Sequence, residues 1–311
     1  MIDFNKVLTD AERAVFKLRA IYMDRGYQQY KMSKFEEYDL YAKNKDFLVS
    51  DGVITFNDKD GRLLALKPDV TLSIIKNSKD GDGVSKVFYN ENVYRADKGT
   101  GSYAEIMQTG LEYIGEVGVA ELCEVISLAK ASLEVNTERF VLELSDMDLT
   151  DAVFTSLGIS DRGRERLLEY LREKNVNAAV ALAEGEGVLP LGRELIAKLV
   201  GFHAPLETAI EGISSFAIDG ECTVAADNFI TLLSALREAG DADGIFVDFS
   251  AVNNTRYYNG LAFRGFAEGA PSAVLFGGRY DKLMRRMKRE ACAVGFAVYI
   301  DELARAGRKN G

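Results

Sequence analysis

Asp69, Thr71, Arg95, Gln108, Glu112, a tyrosine pair at Tyr257 and Tyr258, and Tyr280 are the side chains whose types and order could do chemistry. The densest stretch runs from Lys86 to Gly115, KVFYNENVYRADKGTGSYAEIMQTGLEYIG. It reads as a strand carrying Arg95, a polar loop broken by Gly99 and Gly101, and a second strand bearing Gln108 and Glu112. Alternate residues of a strand face the same way, so Ile106, Gln108, Gly110 and Glu112 share one surface. A cation, an amide and a carboxylate then stand beside a glycine. A pocket for a small zwitterion needs this set: an acid for an ammonium group and a base for a carboxylate or phosphate. Three more segments add parts. KPDVT (Lys67 to Thr71) places an acid and a hydroxyl at a strand end, RYYNGLAFRGF (Arg256 to Phe266) brings the tyrosine pair onto a strand, and FGGRYDKL (Phe276 to Leu283) is a glycine turn into a helix with Tyr280 and Asp281 at its start. Taken singly, these are a hairpin's wet face, a helix cap at Asp69 and a tight turn. The ordered set points to a pocket.

The elements that must position these residues are readable from periodicity. Phe4, Val7, Leu8, Ala11, Val15, Leu18, Ile21 and Tyr22 recur at helical spacing, so residues 4 to 25 are an amphipathic helix closed by Gly26. A short strand at Tyr27 to Tyr30 leads into FEEYDLY. VITF and LLALK flank a turn at Asn57 to Gly61 and form a hairpin. VGVAELCEVISLAKASLEV is a helix and FVLELSDM a strand with Val141, Glu143 and Ser145 on one side. From about Asp151 to Gly240 the pattern becomes short amphipathic helices. Strand character returns at GIFVDFS, YYNGLAFRGFA, SAVLFG and CAVGFAV. Strands in neighbouring hairpins rather than βαβ units argue for an antiparallel sheet flanked by helices. The expected domains are a core of residues 1–150 and 241–311 with an inserted helical module at 151–240.

Composition removes several function classes. The net charge of −10 works against nonspecific phosphate binding, so no nucleic-acid partner is expected. Arg285, Arg286, Lys288 and Arg289, with a basic tail at Arg305, Arg308 and Lys309, read as solvated charge. Cys123, Cys222 and Cys292 lie too far apart for zinc spacing or a disulfide framework and read as small core residues. One histidine, His203, cannot build a His-based metal cluster or a Ser-His-Asp site. No metal or cofactor is expected. No apolar run approaches the roughly 20 residues that span a bilayer, and the N-terminus does not read as a signal peptide. The expected location is the cytoplasm, with no membrane partner.

In their order along the chain, these segments resemble the catalytic domain of histidyl-tRNA synthetase. The resemblance implies an α+β, class II aminoacyl-tRNA synthetase-like antiparallel sheet flanked by helices, with a helical insertion. The stretch from residue 10 to 41 looks like the dimer-forming motif 1, without the usual proline near Met32-Ser33. YRADKGTGSYAEIMQTGLE looks like motif 2. GGRYDKL and the tyrosine strand look like the family's two histidine-recognition stretches, and AVGFAVYIDEL looks like motif 3. The departures are informative. Glu302 stands where the family's motif 3 has an arginine that holds ATP phosphates, Tyr299 stands at a glycine position, and Asn253 replaces a catalytic arginine. The chain ending at Gly311 leaves no room for an anticodon-binding domain.

An intact amino-acid side with a lost nucleotide side resembles the regulatory subunit of short-form ATP phosphoribosyltransferase, a synthetase paralogue of histidine biosynthesis. That resemblance implies no catalysis by this chain. It implies a homodimer core within a hetero-oligomer with a short catalytic subunit, which makes phosphoribosyl-ATP. It also implies activation of that subunit and feedback inhibition by L-histidine. In a histidine pocket, Asp69 and Glu112 would take the α-ammonium with Thr71 and Gln108 assisting, and Arg95 the carboxylate. Tyr258 or its neighbour Tyr257, with Tyr280, would flank the imidazole. Two rival readings are an amino-acid adenylating synthetase-like enzyme lacking a tRNA-binding domain, and an interaction protein with an empty pocket.

Overall fold

The computed structural model describes residues 7–48, 52–78, 83–96, 102–251 and 258–306. The first helix, α1 (Asp10–Asp24), starts later than its apolar spacing suggests, because Thr9 caps it. The Thr9 hydroxyl accepts from Glu12 N–H at 3.2 Å and the Glu12 carboxylate accepts from Thr9 N–H at 2.8 Å. Val7 and Leu8 therefore precede the helix, and Phe4 lies outside the described residues. Gly26 takes a left-handed φ of 82° and closes the last turn, as expected of a helix-terminating glycine.

β1 (Gln28–Gln29) follows, then β2 (Phe35–Glu37), α2 (Tyr38–Lys43), β3 (Thr55–Asn57), β4 (Leu63–Leu66) and α3 (Thr71–Asn77). The hairpin expected around Asn57 to Gly61 is present. It joins β2 in a small sheet of order β2-β4-β3, apart from the main one. The FEEYDLY segment turns helical after three residues. The long pair β5 (Ser85–Ala96) and β6 (Tyr103–Gly115) is the predicted hairpin, while its Gly99 and Gly101 lie outside the described residues. Next come α4 (Val119–Glu134) and β7 (Phe140–Asp146).

Helices begin directly after β7 rather than at residue 151. They are α5 (Met147–Ser156), α6 (Asp161–Arg172), α7 (Val176–Gly185), α8 (Pro190–Gly201), α9 (Leu206–Ser214) and α10 (Gly220–Glu238), with a two-residue β8 (Ala204–Pro205) between α8 and α9. The chain returns to the sheet with β9 (Ile245–Val247), β10 (Leu261–Ala267), β11 (Leu275–Arg279), α11 (Asp281–Arg286), β12 (Cys292–Tyr299) and α12 (Ile300–Ala306).

Among the described residues the main sheet has nine strands in the order β1-β5-β6-β12-β11-β10-β7-β9-β8. It is mixed rather than wholly antiparallel: β1 pairs parallel with β5, and β7 pairs parallel with β9. The segment from β2 to α3 separates β1 from β5, and the α5–α10 run separates β7 from β9. Connections of that length permit parallel pairing, which hairpins cannot.

The two faces of the sheet carry separate cores. Leu18, Tyr22, Phe88, Leu111, Leu142, Leu144 and Val247 belong to one buried cluster that also takes in Phe154, Leu167, Leu199, Ile213 and Leu233 of the helical run. Tyr41, Val70, Leu72, Ile75, Tyr89, Val93, Tyr280 and Leu283 form the other. Adjacent residues of β5, Phe88 and Tyr89, fall in opposite clusters, as the two-residue period demands. The second face holds the site.

Candidate functional site

Three strands make the floor of a cavity of about 410 Å³. In the register of β6 and β12, Glu112 stands opposite Gly295, Gly110 opposite Ala297 and Gln108 opposite Tyr299. Tyr89 of β5 stands beside Gly110. The predicted surface of β6 is therefore real: Gln108 and Glu112 both line the cavity. Small residues face the acids because space is short. A Cβ on Gly295 would lie 1.8 Å from Glu112 Oε2. One on Gly110 would lie 2.3 Å from the Phe296 carbonyl oxygen and 2.4 Å from the Tyr89 hydroxyl.

Glu112 is the centre of the site. The Thr71 hydroxyl donates to Oε1 at 2.7 Å, and the Tyr280 hydroxyl donates to Oε2 at 2.6 Å. Burial pushes its carboxyl up to about 8 from an ordinary 4.5, the two hydroxyls pull it back, and the charge of Asp69 adds to the rise. Asp69 also lies above the ordinary carboxylate range because it is buried, while hydrogen bonding from Leu72 N–H and the charge of Arg95 oppose the rise. Its Oδ1 accepts from Leu72 N–H at 2.9 Å, so from one residue ahead of the N-cap Val70 it satisfies an amide in the first turn of α3 and lines the cavity at once. Helix start and binding wall are one feature here, since α3 must begin where Thr71 can reach Glu112.

Arg95 is nearly buried and fixed on two sides. Its Nε donates to the Pro68 carbonyl at 2.8 Å and its Nη1 to the Tyr299 hydroxyl at 3.0 Å. Among the described residues that line the cavity it is the one cation, facing two carboxyl groups. That is the arrangement a zwitterion requires.

Of the expected aromatic pair, Tyr258 lines the cavity and Tyr257 lies outside the described residues, as do Asn253 and Arg256. Tyr258 is not on a strand, because β10 begins at Leu261. It comes just before, close over Gly278, where a Cβ would meet its ring at 2.6 Å. The GGRYD segment is likewise no turn: Gly277 and Gly278 are paired rungs of β11, which ends at Arg279, and α11 follows Tyr280.

Sequence reasoning did not assign Tyr89 to the site, although it sits six residues before Arg95 on one strand, an even spacing that puts both on one face. Leu48, Val70, Phe276, Phe296 and Ala297 also line the cavity without having been expected there. Tyr299 was expected to fill a glycine position, and it walls the cavity beside Arg95. Glu302 lies in the first turn of α12, its Oε1 accepts from Arg305 Nη1 at 2.7 Å, and it is not among the cavity walls.

A second polar cluster occupies the same sheet face farther along. Arg264 Nε donates to Glu143 at 2.6 Å and its Nη2 to the Ser250 hydroxyl at 2.9 Å, while Ser250 donates to Asp248 at 2.6 Å. Lys174 and His203 both meet the far oxygen of Asp248, and His203 stacks on Phe246. Glu143, His203 and Asp248 bring possible metal ligands within 4.8 Å of one another. Lys174 and Arg264 already neutralise both carboxylates, so the network is balanced without an ion. The basic run near α11 is dispersed: Arg289 reaches the Ile75 and Lys76 carbonyls, while Arg285 and Arg286 are exposed. No helix among the described residues is long and apolar enough to cross a membrane.

A family model described as histidyl-tRNA synthetase matches residues 6–303. An ATP phosphoribosyltransferase regulatory subunit of Bacillus cereus (strain G9842) is 30% identical over 297 residues, covering 93% of this chain and 70% of that protein. One from Bacillus mycoides (strain KBAB4) is 29% identical over 296 residues, with the same coverage. Among solved structures, an ATP phosphoribosyltransferase regulatory subunit/histidyl-tRNA synthetase from Bacillus halodurans C superimposes with a TM-score of 0.87 at 24% identity, covering 96% of this chain and 79% of that one. The ATP phosphoribosyl transferase (HisG:HisZ) complex from Thermotoga maritima gives a TM-score of 0.71 at 17% identity, covering 96% and 97%. At these identities the structural likenesses speak to the fold.

Proposed function

Since this chain belongs to the histidyl-tRNA synthetase family, among its ATP phosphoribosyltransferase regulatory subunits, we propose that it is a non-catalytic regulatory subunit of a short-form ATP phosphoribosyltransferase. In this reading it binds L-histidine in the cavity around Glu112, assembles with a separate catalytic subunit, and transmits activation and histidine feedback to it. The observation that carries the reading is the retained zwitterion cradle: Glu112 held by Thr71 and Tyr280 opposite a fixed Arg95. Asp69, Thr71, Gln108, Glu112 and Tyr280 supply the amino-acid side in this reading, while Tyr299 walls the cavity beside the cation.

In the proposed pose the α-ammonium meets Asp69 and Glu112 with Thr71 and Gln108 assisting. The carboxylate meets Arg95, and Tyr258 and Tyr280 flank the imidazole. Tyr257 belongs to the same set as the neighbouring candidate. A pocket that does no chemistry still shifts a quaternary equilibrium when it favours one state, and coupling of about 1–3 kcal/mol changes a partner's behaviour roughly 5- to 150-fold. The proposed assembly is a homodimer core carrying catalytic subunits.

Titration calorimetry tests the pocket. Arg95→Ala removes charge-assisted hydrogen bonds worth about 1.5–3 kcal/mol, so its histidine affinity should fall by at least about tenfold. Glu112→Ala should lose binding more completely. Unchanged affinity in both variants would remove the site. The adenylating-enzyme reading is favoured by one observation, a buried arginine lining the cavity, a cation of the kind that meets an α-phosphate. Histidine-dependent ATP–pyrophosphate exchange by the purified chain would establish that reading in place of ours.

A further inference from the structure

The cavity wall beside Arg95 is aromatic. Tyr299 ends β12 and stands opposite Gln108 in the ladder. The ring stands edge-on to Phe276, with centroids 5.6 Å apart and planes at 83°. Its hydroxyl oxygen accepts from Arg95 Nη1 at 3.0 Å, while Arg95 Nε is engaged by the Pro68 carbonyl at 2.8 Å.

A guanidinium is a planar fork of N–H donors, and here part of the fork is already occupied on both flanks. The remaining donors suffice for one carboxylate. A phosphate ester carries more oxygens and more charge, and it seeks several charge-assisted bonds from the same cation. The Tyr299 ring walls the cavity on that side of the cation.

We propose that Tyr299 is a specificity-determining residue. It limits the pocket to amino acids with a free carboxylate and excludes those whose acid end carries a phosphate ester or nucleotide. The ring takes up the space and the hydroxyl occupies a donor of the cation. This rests on the reading of the cavity as an amino-acid pocket, and the test separates the two.

L-Histidine and L-histidinol phosphate are titrated calorimetrically into the full chain and into Tyr299→Phe and Tyr299→Ala. The second probe keeps the imidazole and the ammonium and carries a phosphate ester in place of the carboxylate. The wild-type protein should bind histidine and show no measurable heat with the phosphate ester. Tyr299→Ala should gain at least about tenfold in affinity for the ester, with a smaller gain in Tyr299→Phe, which keeps the ring and frees the Arg95 donor. Both variants should still bind histidine. A gain in either variant supports the proposal, and the Phe variant, nearly isosteric, serves if the Ala variant does not fold. Histidine binding without any gain for the ester in any folded variant overturns it. Ester binding by the wild-type chain overturns it as well. Absence of histidine binding to the wild-type chain defeats the pocket reading and this inference together.

Discussion

Glu112 is a buried acid whose neighbours are hydroxyls, not a paired cation. With its carboxyl raised to about 8, the empty pocket near neutral pH holds mostly the protonated form. An arriving ammonium favours the carboxylate, so binding should expel a proton. Affinity for histidine should therefore climb between about pH 6 and about pH 8, and calorimetry in buffers of different ionisation enthalpy should register the released proton. The stability of the empty protein runs the other way. The folded value lies above the ordinary 4.5, so between 4.5 and about 8 the unfolded chain has given up a proton that the folded chain retains. Stability then falls as pH rises through that window. Glu112→Gln removes this contribution. Its melting temperature should drop less than that of the wild type between about pH 5 and about pH 8, while histidine no longer protects it. A wild-type and a Gln variant with parallel pH profiles would show that Glu112 is ionised in the empty pocket.

The site stands on a strand ladder whose alternating positions are small where the acid is large. Gly295→Ala places a methyl where Glu112 Oε2 now sits, with the Leu111 carbonyl only 2.4 Å away on the other side. Backbone cannot yield there, so the cost should be about 1–3 kcal/mol of stability, together with loss of histidine binding, measured by thermal melts with and without ligand. A stable Gly295→Ala chain that binds normally would mean the β6–β12 spacing is looser than the register implies. Much of this ladder was legible in sequence, because period two is a property of the backbone: Gln108, Gly110 and Glu112 fall on one face by counting alone. Asp69 and Thr71 were legible for a related reason, since an acid before a helix is a cap wherever it lies. What sequence could not supply was depth and reach. The pairing of Glu302 with Arg305 three residues on is one such detail. The glycines of GGRYD looked like a turn because a turn and a crowded strand want glycine for different reasons, flexible backbone in one and missing bulk in the other. The parallel pairings of β1 and β9 depend on long connections and carry no local signature.

At the scale of the molecule, one sheet carries the cavity on one face and most of the helical mass on the other. A ligand that holds β6, α3 and the Tyr280 segment together should stabilise the fold as a whole. At a hundred times its dissociation constant, histidine should contribute about 2.7 kcal/mol and raise the melting temperature by a few degrees. No shift at saturating histidine would favour an interaction protein with an empty pocket. Co-purification with a short phosphoribosyltransferase chain, with an assembly mass that changes on adding histidine, would test the regulatory reading directly. The chain itself contains a single imidazole, His203, lodged beside Phe246 and Asp248. The strands β10 and β7 lie between the strand of Phe246, β9, and the outermost strand that lines the cavity, β11, a separation of roughly 14 Å at ordinary strand spacing. The His203 proton resonances are therefore an unambiguous built-in listening post. Any movement of that lone signal when free amino acid is added reads out, without a label or a mutation, how far news of occupancy travels toward the opposite edge.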